Sequence, residues 1–205
     1  GYANPIVTEA LRAQMDKLPQ LAYQYLHREK IELAEMICES IERGFGMKGR
    51  VHFNVGGAQA VEDALKIVRK STGRQHMLAF QGGYHGRTLG ASAITSSYRY
   101  REAFGEFADR AEFIPFPYTF RSPYKGDAQK TSDHCIGEFE RLFEHEYTGA
   151  WNSKTGRSEF GAFFVEAVQG TGGDIVPPRK HSRRPAKLGT ARALRLVDAE
   201  RPRGA

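Results

Sequence analysis

Apolar residues recur along this chain at two periods, and the period changes where glycine or proline interrupts. After Asn4-Pro5, an N-cap followed by proline at the first helical position, Val7, Ala10, Leu11 and Leu18 fall at helical spacing until Pro19. A second stripe, Ile31, Ala34, Ile37, Cys38 and Ile41, closes at Gly44 and Gly46. Val51 and Phe53 predict a short strand, and the pair Gly56-Gly57 leads from it into a third helix with Val61, Ala64, Leu65 and Val68 on one face. Residues 77–80 (Met-Leu-Ala-Phe) read as a strand, 89–95 as a helix of small residues, and 113–118 as a strand running into a proline-broken loop. Asp133 is the expected cap of a helix carrying Ile136, Phe139, Phe143 and Tyr147. Residues 160–165 are a continuous apolar run of the kind buried on both faces of a parallel sheet. Strands alternating with helices predict an α/β fold with a mostly parallel sheet.

Two of these junctions have chemical use. The first turn of a helix leaves backbone N–H groups unpaired at the positive end of the helix dipole, which suits a phosphate. Gly56, Gly57 and the small Ala58 would let an anion approach that turn, although the same glycines would equally make a tight entry into a packed helix. The spacing is neither that of a dinucleotide fingerprint nor that of a P-loop. The strand at 77–80 runs into Gln81-Gly82-Gly83-Tyr84-His85-Gly86-Arg87-Thr88, an aromatic and an imidazole set between glycines. Ligands of open α/β sheets lie beyond the carboxyl ends of the strands, so an anion site and a flat ring are expected side by side.

Composition narrows the picture further. With 205 residues, 40% of them apolar, the chain makes one ordinary domain or a piece of a larger one. No apolar run approaches the twenty residues of a membrane span and the start is no signal peptide. Cys38 and Cys135 lie far apart within helical patterns, as buried thiols of a reducing, cytoplasmic compartment would. His134 and His145 have no carboxylate or thiol completing a ligand set, so no metal site is expected. Between Tyr98 and Phe107 aromatics alternate with charges, but Arg99 and Arg101 are offset by Glu102 and Glu106, which favours a surface loop or subunit contact over a nucleic-acid face. The net charge of +6 is not spread evenly: from Arg179 onward nine Lys or Arg face two acids, and the preceding 178 residues are close to neutral.

The run F-N-x-G-G-A-x-A-V-E-x-A-L-K from Phe53, then G-G-Y-H-G-R-T from Gly82, then Val165-Glu166-Ala167-Val168-Gln169-Gly170-Thr171-Gly172-Gly173, resembles the class III aminotransferases, the pyridoxal-phosphate enzymes of fold type I that include 4-aminobutyrate, ornithine and acetylornithine aminotransferases. The resemblance implies a truncated three-layer αβα large domain, with residues 1–48 a helical lead-in, 49–178 the partial cofactor domain and 179–205 a basic tail outside the family pattern. It implies pyridoxal 5'-phosphate as cofactor, an amino acid and a 2-oxo acid as substrates, and a homodimer. Gly57 and Ala58 match the phosphate-binding turn, Tyr84 the aromatic stacked on the pyridine ring, His85 its neighbour in the same motif, and Glu166 and Gln169 the strand-end acid and the turn after it. Thr171 departs from the pattern: many relatives carry a glutamate there that pairs with an arginine otherwise receiving the substrate carboxylate, and threonine cannot form that pair, which leaves substrate choice within the family open; the reading retained is an ω-amino acid donor such as 4-aminobutyrate or ornithine.

The resemblance also implies a hydrophobic strand ending in an acid that pairs with the pyridine nitrogen, then a lysine that carries the cofactor. Arg195 is expected to interrupt such a strand, which makes Asp198 a chance look-alike, and no lysine follows it. Sixteen of the 27 tail residues are Gly, Ala, Arg or Pro, a bias expected of out-of-frame translation. The chain then reads as a fragment incomplete at both ends, inactive by itself, with no catalytic residue of its own. Two alternatives are a regulatory fragment that holds pyridoxal phosphate without a covalent bond and non-specific attraction of nucleic acid or an acidic partner to the tail.

Overall fold

The structure is a computed structural model that describes residues 2–20, 22, 25–108, 111–144, 147, 149–178 and 195–198. The chain divides into two compact units, one running to Phe53 and the other beginning at Asn54. The first holds α1 (Pro5–Lys17) and α2 (Arg28–Phe45). Asn4 caps α1 as expected, its side-chain oxygen accepting from the Ile6 N–H at 3.0 Å, and α1 stops just ahead of Pro19. Lys17 pairs with Glu29 at 2.9 Å, tying the two helices. Neither helix buries a residue, and Ile6, Val7, Leu11 and Met15 of α1 are all more than half exposed. The expected strand at Val51 and Phe53 does not form. Both residues are half-buried, but no strand among the described residues pairs with them, and without a ladder an extended apolar segment remains coil.

The second unit contains α3 (Gly57–Thr72), β1 (His76–Phe80), α4 (Leu89–Ala93), β2 (Glu112–Ile114), α5 (Ala128–Arg141), a small hairpin β3 (Trp151–Asn152) and β4 (Arg157–Ser158), β5 (Phe160–Val165) and β6 (Arg195–Asp198). Four strands make one sheet in the order β2-β1-β5-β6, every pair parallel. Successive side chains of a strand point to opposite faces, and the core divides accordingly. Met77, Ala79, Ala162 and Phe164 pack against Val61, Leu65 and Val68 of α3 and Ala91 of α4 on one side. Leu78, Phe80 and Phe163 pack against Phe139 of α5 and Phe143 on the other, joined by Phe160, where the β1–β5 register shifts between His76 and Met77 and breaks the alternation. The result is three layers, helix on sheet on helix, with the stripe of α3 buried as its spacing predicts. Gly161 lets α3 approach β5: a Cβ there would lie 2.8 Å from Val68 Cγ1 and 3.1 Å from the Arg74 carbonyl oxygen.

Two boundaries differ from the sequence reading. The cap of α5 is Asp127, whose carboxylate accepts from the Lys130 N–H at 2.9 Å, while Asp133 lies within the helix and accepts from Gln129. Gly126, at φ +86°, turns the chain into that earlier start. The helix also ends before Phe143, which stays buried, whereas Tyr147 is exposed. At the other end of the chain, Arg195 does not prevent a strand. β6 pairs with β5 from Ala162↔Arg195 to Val165↔Asp198, because the ladder is made by main-chain groups and β6 is the last strand of the described sheet, where a charged residue is tolerated. The expected interruption of the strand at Arg195 therefore does not occur, and the rest of the tail, 179–194 and 199–205, lies outside the described residues. Among the described residues no helix is long and apolar enough to cross a membrane.

Candidate functional site

Because β1 and β5 are parallel neighbours, Gln81 and Glu166 leave the sheet at the same edge. The loop after β1 is held from both sides. The Gly82 N–H donates to Ser96 Oγ at 3.0 Å, the Ser96 N–H to the Gly83 carbonyl at 2.9 Å, and the His85 N–H to Thr95 Oγ1 at 3.0 Å. From the β5 side, buried Gln169 donates its amide to the Gln81 carbonyl at 2.8 Å, while its own backbone forms a two-way bridge with Ile175. The Gln169 amide oxygen lies close enough to Gly82 and Gly172 that a Cβ at either would sit 2.7 or 2.9 Å from it. Glu166, also buried, accepts from the Tyr84 N–H at a long 3.4 Å. The Tyr84 ring, half-buried, meets Tyr100 edge to face at 4.9 Å, and Tyr100 in turn carries the Arg87 guanidinium 4.9 Å above its centroid.

The first turn of α3 enters this arrangement through one contact. Gly86, at φ +130°, lies on Ala58 so closely that a Cβ there would be 2.7 Å from Ala58 Cβ and 3.0 Å from its Cα. The tyrosine loop thus passes directly over the start of α3, two residues from Tyr84 on one strand of contact and one residue from Gly57 on the other. Gly57 itself is exposed, and a Cβ on it would meet nothing within 4 Å. The turn therefore has room for a small group beside Gly57, and α3 is long enough to present a full helix terminus there.

His85 is buried beneath the loop, its ring 5.9 Å from Phe164 of β5. Neither ring nitrogen has a hydrogen-bond partner among the described residues, nor does the buried Thr88 hydroxyl. Burial pushes the imidazole down to about 4, so it is neutral near pH 7. A helix start beneath the tyrosine loop, an aromatic side chain on that loop and two unsatisfied buried polar groups in the same loop suit a small anionic, ring-bearing ligand.

The six residues singled out in the sequence fall on these three segments: Gly57 and Ala58 on α3, Tyr84 and His85 on the loop after β1, Glu166 and Gln169 after β5. Sequence reasoning missed Thr95 and Ser96, which fasten the loop, and Glu62, whose carboxylate accepts from the N–H groups of Gly90 and Ala91 at 2.9 and 3.2 Å. A hydroxyl pair after a run of small residues and one acid on a charged helix give no pattern that separates them from polar side chains that merely face water. A cavity of about 460 Å³ lies elsewhere, along the outer flank of α3 between Lys66, Arg69 and Phe107, and does not reach Gly57 or Tyr84.

Comparison with known proteins adds an independent line. The family profile described as aminotransferase class-III matches residues 1–197. It therefore runs past Pro178, where the resemblance alone was expected to stop. The probable 4-aminobutyrate aminotransferase of Bacillus subtilis (strain 168) is 33% identical over 182 residues, covering 88% of this chain and 39% of its own length. The alanine/serine racemase of Pyrococcus horikoshii is 30% identical over 192 residues, covering 92% of this chain and 39% of the racemase. A crystal structure of an amine transaminase from an uncultivated Pseudomonas species, in PLP-bound form, superposes with a TM-score of 0.83 at 27% identity, over 97% of this chain and 44% of that one. The chain spans about two-fifths of the length of the curated relatives it matches.

Proposed function

Because the chain belongs to the class III aminotransferases, we propose that it supplies the cofactor-holding part of a pyridoxal-phosphate-dependent transaminase, which moves an amino group from an ω-amino acid such as 4-aminobutyrate or ornithine to a 2-oxo acid. The family's cofactor is pyridoxal 5'-phosphate. The observation that carries the reading is the seat of Gly86 on Ala58, which sets an aromatic loop over the start of α3.

The residues present fit that cofactor. The Gly57 and Ala58 amides would hold the phosphate at the α3 dipole, and among the described residues nothing lies within 4 Å of a Cβ placed on Gly57. Tyr84 would cover one face of the pyridine ring, a flat surface with few rotamers to order. Glu166 holds the Tyr84 backbone, Gln169 locks the turn after β5 to the tip of β1, and His85 with Thr88 supplies polar groups that still lack partners. When bound, pyridoxal phosphate supplies an electron sink for the carbon that loses a proton. β6 ends at Asp198 opposite Val165, so the backbone position of a strand-end acid exists in this sheet. No lysine follows Asp198 in these 205 residues, so this chain alone holds the cofactor without a covalent bond and is inactive. The ω-amino donor follows the likeness to a probable 4-aminobutyrate aminotransferase, whereas Thr171, exposed in the turn after Gln169, offers no carboxylate to pair with an arginine of the substrate site and so gives no support to that choice. The working enzyme is a cytoplasmic homodimer.

Titrating the 205-residue chain with pyridoxal phosphate tests this. Saturable binding is expected, with Tyr84→Phe unchanged and Tyr84→Ala weaker by about three- to tenfold, the range of one aromatic stacking contact. Borohydride treatment followed by mass spectrometry should label no single lysine above the others. The absence of saturable binding would sink the assignment, and one lysine fixed selectively would sink the claim of inactivity.

A further inference from the structure

Glu62 and the segment 86–91 are arranged with a regularity that the cofactor contacts alone do not require. Ala58 and Glu62 are four residues apart on α3 and so lie on one face, one turn above the other. Their partners, Gly86 and Gly90, are also four residues apart. At the first level Ala58 meets Gly86 in bare van der Waals contact. At the second, the Glu62 carboxylate takes the N–H groups of Gly90 and Ala91, two donors at the start of α4 that lack partners within that helix. Gly90 lies so close that a Cβ on it would fall on the carboxylate, 2.8 Å from Oε1. Gly86 and Ala91 are likewise close, a Cβ on Gly86 lying 3.0 Å from Ala91 Cβ. The exit of the tyrosine loop is thereby fastened along the same helix whose first turn carries Gly57 and Ala58.

We propose that Glu62 is a positioning residue that sets the spacing between the α3 amides and the Tyr84 ring. The inference rests on the pyridoxal-phosphate reading and deepens it. A ligand that uses both the amide turn and the ring needs the two held at one separation, so a flexible loop exit would reduce its affinity even with every contacting group intact. A ligand that uses the amides alone needs no such constraint. Glu62 touches neither group.

Two probes and three variants of the full chain separate these effects. Pyridoxal phosphate is titrated by absorbance, and inorganic phosphate by the amide shifts of Gly57 and Ala58 in labelled protein. Glu62→Ala is expected to weaken pyridoxal phosphate about tenfold, the loss of a charge-assisted pair of hydrogen bonds, while inorganic phosphate binds as before. Glu62→Gln, which keeps one acceptor, should fall between. Gly90→Ala retains the acid but displaces it, and should follow Glu62→Ala even though alanine is the better helix former; this variant also serves if Glu62→Ala does not fold. Equal loss of both probes would mean a general structural role, and unchanged pyridoxal-phosphate affinity would mean no role; either overturns the proposal. Wild-type chain that takes up phosphate but no pyridoxal phosphate would instead sink the functional reading on which it rests.

Discussion

Gly86→Ala unfolds the site and lowers the stability of the whole second unit. Two effects combine at this position. The backbone is held at φ +130°, where an L side chain is strained by about 1–3 kcal/mol. The added methyl would also press on Ala58 Cβ, Ala58 Cα and Ala91 Cβ at 2.7, 3.0 and 3.0 Å, all atoms fixed to helix backbone and unable to swing aside. Overpacking of this kind adds about 1–3 kcal/mol, for a total of roughly 2–6 kcal/mol. The melting temperature of the apo chain should fall by about 5–15 °C. Pyridoxal-phosphate binding should fall by more than tenfold, because the least disruptive relief is for the tyrosine loop to lift from α3. Gly57→Ala is the control. A methyl there meets nothing within 4 Å, so apo stability should be retained while the phosphate loses its closest approach to the amides. Calorimetry and cofactor titration on the two variants check both halves. Equal stability of Gly86→Ala and wild type would show that the loop does not lie on α3.

The contrast between these glycines marks how far the sequence could be read. The spacing of Val61, Leu65 and Val68 specified both the helix and its buried face, since a 3.6-residue period admits one solution. The apolar run 160–165 specified a strand covered on both sides, and Phe163 and Phe164 indeed face different helical layers. The glycines around Tyr84 announced a special loop. They did not say that Gly86 is the one pinned by α3, because that depends on which helix crosses the loop, a matter of tertiary placement. Glu62 was illegible for a related reason: on a helix bearing Asp63, Lys66, Arg69 and Lys70, one more acid looks like solvated surface until the start of α4 is seen to end on it. The same limit explains Asp133 and Asp127. Each could cap a helix, and Gly126 at positive φ decided between them. Val51 and Phe53 failed in the opposite sense, since their alternation is real but a strand exists only with a neighbour to pair. At β6 an adverse side chain was overweighted against main-chain pairing.

His85 makes the stability of the apo protein depend on pH in a defined direction. Its imidazole is buried with both nitrogens unpartnered among the described residues, and burial alone pushes it down from 6.5 to about 4. The unfolded chain therefore takes up a proton at a higher pH than the folded one does. Between those values unfolding binds protons, so stability rises with pH across the window: the contribution is complete above about 6.5 and is lost as pH falls through 4. The full difference is about 3 kcal/mol. Urea midpoints of the apo chain, measured at pH 7.5, 5.5 and 4.5, contain this term together with those of many carboxylates. Subtracting the same series for His85→Phe isolates it, because phenylalanine fills a similar space beside Phe164 and does not titrate. Removing two buried nitrogens that lack partners should also leave the variant at least as stable as wild type at pH 7.5. The gap between the two proteins should then widen in favour of His85→Phe as the solution is acidified. Parallel curves would show that the ring is protonated in the fold or reaches solvent, and that the space beneath the tyrosine loop is wet before any ligand arrives.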